Sequence, residues 1–273
     1  MEVAAEMLRM FVQTPLGVPA HWWAVILTSF AICQVTYPVS HWLSIKYVKS
    51  YKGLPDVEKK EWQSRVASTM HAAFVFPFAL YISLTDLELR KNPVHGQNPV
   101  SEFIYCVAVG YFASDFVLIV KYNIPPLIPI ILHHVFGGWG FLTSVTPFKA
   151  ATWYSTYLLL TEASTPFNNT YWMLERCGMK DKPIGRFFGL GFAATWAVFR
   201  VGINPYLFYQ TWAHFDELRG MSAYLQLLFL LNFVFLVGLN TYWFIAGPFY
   251  GIVFGEKKAA NAGSQKSNNP KYE

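Results

Sequence analysis

Charge is what the 273-residue chain lacks most: Asp, Glu, Lys and Arg make up only 14 % of it, against about a quarter in ordinary globular domains. That shortage excludes a fold solvated on every side by ionised groups. Cysteine is scarce as well. Cys33, Cys106 and Cys177 are odd in number and scattered, which excludes a disulfide framework. No carboxylate or third ligand stands near the histidines at metal-ligand spacing, so neither a metal nor a bound cofactor is expected. Period-two alternation is missing from the apolar runs. A closed barrel is therefore excluded, and helices remain as the way to satisfy a backbone in lipid. No basic stretch leads directly into a short apolar core with a cleavage site, so residues 20–43 read as a retained span.

Apolar residues are what the chain has in abundance, at 54 % hydrophobic and 18 % aromatic. About 20 mostly apolar residues cross a hydrocarbon core. Seven runs qualify, near 20–43, 64–85, 101–121, 124–145, 150–172, 187–211 and 221–248. They predict an all-α, polytopic membrane protein of about seven transmembrane helices. Residues 1–54 form an N-terminal segment with the first span, and 55–250 form one membrane domain. The polar end, 251–273, is expected to be a disordered tail.

The net charge of +5 is sorted by loop, which argues for membrane topology and against nucleic acid. Lys46, Lys49, Lys52, Lys59, Lys60, Lys121, Arg176, Lys180, Lys182, Arg186, Lys257, Lys258, Lys266 and Lys271 fall on one side if seven spans alternate. Only Arg9, Arg90, Lys91, Lys149 and Arg219 fall on the other. The positive-inside rule then puts the tail in the cytosol and the N-terminus outside or in a lumen.

Seven ionisable side chains lie where lipid-facing residues should be: Arg65, His71, Asp115, His133, His134, Glu162 and Arg200. Such groups usually face a bundle interior. Ser64, Ser68 and His71 share one helix face, Ser155, Glu162 and Asn169 another, and Arg200 and Asn204 are an i, i+4 pair. Five spans contribute, and the groups cluster between the basic ends and the midplane. A polar cavity entered from the cytosol is expected. His133 and His134 sit about 100° apart on their helix, so both can border it. Pro125, Pro126 and Pro129 precede them, and Gly137, Gly138 and Gly140, which permit close packing, follow. The pair is read either as a structural clamp or as an acid–base or nucleophilic group.

The runs "EWQSRVASTMHA" (61–72), "GYFASD" (110–115), "LHHVFGG" (132–138) and "TEASTPFNN" (161–169) resemble the TLC domain shared by the TRAM, LAG1 and CLN8 proteins. The resemblance covers about 55–250. It implies six helices around a central cavity, with one more helix preceding them. In the family's ceramide synthases an adjacent histidine pair is catalytic, and His133 and His134 occupy that place. Those enzymes carry His-Asp-x-Ser-Asp on the next helix, whereas this chain reads Thr161, Glu162, Ala163, Ser164, Thr165. One carboxylate is kept. The resemblance implies lipid homeostasis, with membrane lipids as partners, acyl-CoA as an optional co-substrate and the endoplasmic reticulum as location; self-association stays open.

Two functions follow. In the first, the chain is an acyltransferase in which His133 or His134 is base or acyl acceptor and Glu162 or Asp115 orients it. Arg65 stands at the mouth to hold a phosphate, and His71, Ser164, Asn168, Asn169 and Arg200 contact substrate. In the second, the same cavity binds or senses lipid without chemistry.

Overall fold

The computed structural model describes residues 15–125, 127–147, 149 and 151–245; the expected tail at 251–273 lies outside them. No strand occurs among the described residues. The long helices are α1 (Ala20–Tyr47), α2 (Asp56–Thr85), α3 (Pro99–Tyr122), α4 (Leu127–Val145), α5 (152–176), α6 (Pro183–Ala213) and α7 (Ala223–Phe244). Six of these are long and apolar enough to cross a membrane. The exception is α5, the expected fifth span. It is helical from end to end but too rich in Thr, Ser, Asn and Glu to count as apolar, because it carries much of the polar interior.

Local chemistry sets the ends. Asn98 caps α3, its side-chain oxygen accepting from the backbone N–H groups of Val100 (2.8 Å) and Ser101 (3.0 Å), with Pro99 in the first turn where a missing N–H costs nothing. Asn123 closes the helix in the left-handed region. Asp86 caps the short helix Leu87–Lys91 and also accepts from the Asn98 amide at 2.6 Å, which ties the α2–α3 connection together.

Helices α2, α3, α4, α7, α6 and α5 pack in that order as a closed ring, and α1 lies outside against α2 and α3. The six-helix arrangement with an extra first helix is therefore present. Gly110 makes the α1 contact possible: a Cβ there would overlap the Ile26 carbonyl oxygen and crowd Ser29. The Ser29 hydroxyl donates to the Val107 carbonyl at 2.7 Å across the same contact.

The helix ends sort into two groups. At one end the backbone N–H groups of Ala151 and Trp153 donate to the Val94 and Pro93 carbonyls, and Val94 packs with Leu218 and Met221. At the other, Arg176 pairs with Glu58 at 3.1 Å, and Ser50 contacts Cys177. Lys46, Lys49, Lys52, Lys59, Lys60, Lys121, Lys180, Lys182 and Arg186 all belong to this second, basic end. There the Glu175 carboxylate accepts from Lys180 and holds its ammonium above the ordinary range.

Candidate functional site

Inside the ring, toward the basic end, lies a polar cavity of about 560 Å³. Its walls carry Arg65 from α2, Asp115 from α3, His133 and His134 from α4, Glu162, Asn168 and Asn169 from α5, and Arg200 from α6. Eight of the ten expected site residues thus meet. Two do not. Ser164 is fully buried behind the wall as a partner of Arg200. His71 stacks on Tyr111, ring centroids 4.1 Å apart and 12° from parallel, and lines a different cavity between α1, α2 and α3. The expected convergence of His71 fails because the Tyr111 ring stands between: helical spacing placed His71 on an inward stripe, but not beside which neighbour.

The two histidines differ sharply. His134 is buried, its Nδ1 2.8 Å from the Ile130 carbonyl oxygen and its Nε2 3.0 Å from Asp115 Oδ2. A neutral imidazole has one N–H, whereas a carbonyl and a carboxylate only accept. Both ring nitrogens of His134 are thus engaged by acceptor groups. On the far side of Asp115, Tyr37 of α1 donates to Oδ1 at 3.5 Å and meets Ser114 at 3.1 Å. His133 has only ring contacts, edge-on to Phe112 at 5.7 Å and to His134 at 5.6 Å. Among the described residues its side chain makes no hydrogen bond, and neither does that of Glu162. An imidazole and a carboxylate thus face the cavity uncommitted.

Irregular backbone presents the remaining groups. Glu162 sits in a tight 3₁₀ turn (Leu160–Ser164) in the middle of α5. Arg200 sits in a wide π turn (Ala197–Gly202) of α6, a bulge that recurs at functional sites. Its Nε donates to the Thr161 carbonyl (3.1 Å) and Ser164 hydroxyl (2.8 Å), and Nη1 donates to Asn240 (2.9 Å). Trp196 lies under the guanidinium at 4.4 Å. Near the mouth, Arg65 donates to Glu61 through Nε (3.0 Å) and Nη2 (2.6 Å), and to Asn169 through Nη1 (3.0 Å). Three of its five N–H groups are engaged, so its charge is already balanced and less is left for a phosphate than the sequence suggested.

A narrow cleft leaves the cavity between His133 and Glu162, walled also by Phe112, Gly137, Phe141 and Leu158. Gly137, Phe141 and Leu158 also border an apolar cavity farther along, closed by Leu207, Phe229 and Phe233.

Sequence reasoning missed Glu61, Tyr37 and Asn240. Glu61 was legible, since Glu and Arg at i, i+4 pair on a helix. Tyr37 was half-legible: Gln34 and Tyr37 share a polar face of α1, and both reach Ser114. Asn240 carried no local signal.

Comparison with known proteins comes to the same place. The TLC domain matches residues 61–246. TLC domain-containing protein 4-A of Xenopus laevis is 28 % identical over 249 residues, covering 85 % of this chain and 92 % of its own. Human TLC domain-containing protein 4 is 31 % identical over 55 % of this chain and 57 % of its own. Protein CLN8 of Canis lupus familiaris is 27 % identical over 82 % of this chain and 77 % of its own. No solved structure matches.

Proposed function

This chain belongs to the TLC domain family, and from that premise we propose that it maintains membrane lipid composition by acyl transfer in the polar cavity. One observation carries the reading: the side chains of His133 and Glu162, neither hydrogen-bonded among the described residues, both line the chamber that holds the His134–Asp115 pair. His133 takes a proton from the acceptor hydroxyl or amine as that atom attacks the acyl carbonyl carbon. The bond from that carbon to the donor's thiol or alcohol breaks, and His133 returns the proton to the leaving group. Glu162 stabilises the imidazolium in between. His134, held at both nitrogens, is a positioning residue rather than the base. The acyl chain extends past Gly137, Phe141 and Leu158, where the spaces of about 20 and 60 Å³ open on binding.

The basic end supports entry from the cytosol, where acyl-CoA would be the donor; a membrane lipid is the other source of acyl chains. The endoplasmic reticulum is the proposed location, as the resemblance implies. A binding-only reading is favoured by one feature. Thr161 and Thr165 stand where the family's synthases have a histidine and a second aspartate, and Thr161 Oγ1 donates to Leu158 while Thr165 Oγ1 accepts from Arg200.

Cells lacking the protein, rescued with wild type, His133→Gln or Glu162→Gln, separate the readings by lipidomics. Gln keeps hydrogen bonding but takes up no proton near neutral pH. The expected result is normal abundance of both variants with at least about a hundredfold loss of turnover for His133→Gln. Full rescue by both variants would establish binding without chemistry.

A further inference from the structure

We propose a second lipid site, between α1 and the α2–α3 pair, that takes an uncharged lipid bearing a free hydroxyl, with His71 as its hydrogen-bond partner. The cavity there is about 460 Å³, within the range of roughly 300–1,000 Å³ of small-molecule sites. The stacked rings of His71 and Tyr111 separate it from the polar chamber, since Tyr111 borders both. Among the described residues no Asp, Glu, Lys or Arg lines it, so a phosphate or ammonium head group would be buried without a counter-charge.

His71 is 5 % exposed, and among the described residues both its ring nitrogens are buried without a hydrogen-bond partner. Buried polar groups are normally satisfied. Two other polar groups of the wall are satisfied within the protein: Ser29 donates to Val107 at 2.7 Å and Thr36 to Ile32 at 2.8 Å. An imidazole nitrogen either donates to or accepts from a hydroxyl, according to the tautomer, so one ligand hydroxyl can satisfy one of them. Ile32, Met70 and Phe74 of the same wall are about half exposed, at 54 %, 51 % and 43 %. In a bilayer these residues would face acyl chains, so the ligand enters sideways from the membrane.

The test uses the full chain reconstituted in phosphatidylcholine vesicles. The probe is a long-chain alcohol carrying a diazirine and an alkyne, with its phosphate ester as counter-probe. Photolabelling by the alcohol should map to residues 24–36 and 67–74 and be displaced by unlabelled alcohol. His71→Phe should weaken it about fivefold, the worth of one hydrogen bond, and His71→Gln should restore most of it. Thr28→Trp, on the exposed face of α1, should block labelling with His71 untouched, which guards against a His71 variant that fails to fold. His133→Gln should leave labelling unchanged, because this site does not depend on the chemistry proposed for the other. Equal labelling by the phosphate ester, or full labelling of a folded His71→Phe protein, would overturn the proposal.

Discussion

Arg200 illustrates what a buried cation needs. It sits among neutral acceptors on α5 and α7, and Glu162 lines the same cavity. A planar guanidinium can reach the Thr161 carbonyl, the Ser164 hydroxyl and the Asn240 amide oxygen at once; an ammonium on a flexible stem cannot. Arg200→Lys should therefore keep the charge and still destabilise the bundle by about 1–3 kcal/mol, the cost of leaving buried acceptors unmet. A lower thermal midpoint in detergent checks this. An unchanged midpoint would mean that the α5–α6–α7 seam does not depend on these bonds. The same comparison of bonded and unbonded groups distinguishes His133 from His134, which are adjacent in the chain and unlike in surroundings.

At the scale of elements, α1 is the helix most easily separated from the rest, because among the described helices it packs mainly on α2 and α3. Its docking depends on one backbone approach at Gly110. Gly110→Val would drive two methyl groups into the Ile26 carbonyl region, and overpacking of this kind costs about 1–3 kcal/mol. The expected outcome is earlier thermal loss of α1, seen as faster protease cleavage of the connection at 48–55. Gly53→Ala, where an added Cβ meets nothing, is the control and should change neither. Displacing α1 also withdraws Tyr37 from Asp115, so the helix outside the ring still reaches the site.

For the whole molecule, alternation of helix ends collects the basic loops and the mouth of the polar cavity at one end. A charge-sorted bundle of this kind has one orientation. Glycosylation acceptors inserted at 177–182 should stay unmodified, and acceptors inserted at 92–97 should be modified. The reverse pattern would invert the topology and place the cavity mouth toward the lumen. Mapping by glycosylation reads this without any assumption about chemistry.

Charge scarcity, apolar run length and the absence of alternation were enough to determine an all-helical membrane protein, because lipid leaves a backbone few alternatives. Helical periodicity also put Asp115, His133, His134 and Glu162 on inward faces of their spans, which was enough to expect them near one another. Two things only the tertiary structure decided. Rotation and depth between neighbouring helices left His133 free and pinned His134 to Asp115, and they placed the Tyr111 ring between His71 and the cavity. The turns that present Glu162 and Arg200 are equally invisible locally. A 3₁₀ turn and a π turn arise where packing across the ring competes with regular hydrogen bonding, and that competition is between residues some forty positions apart.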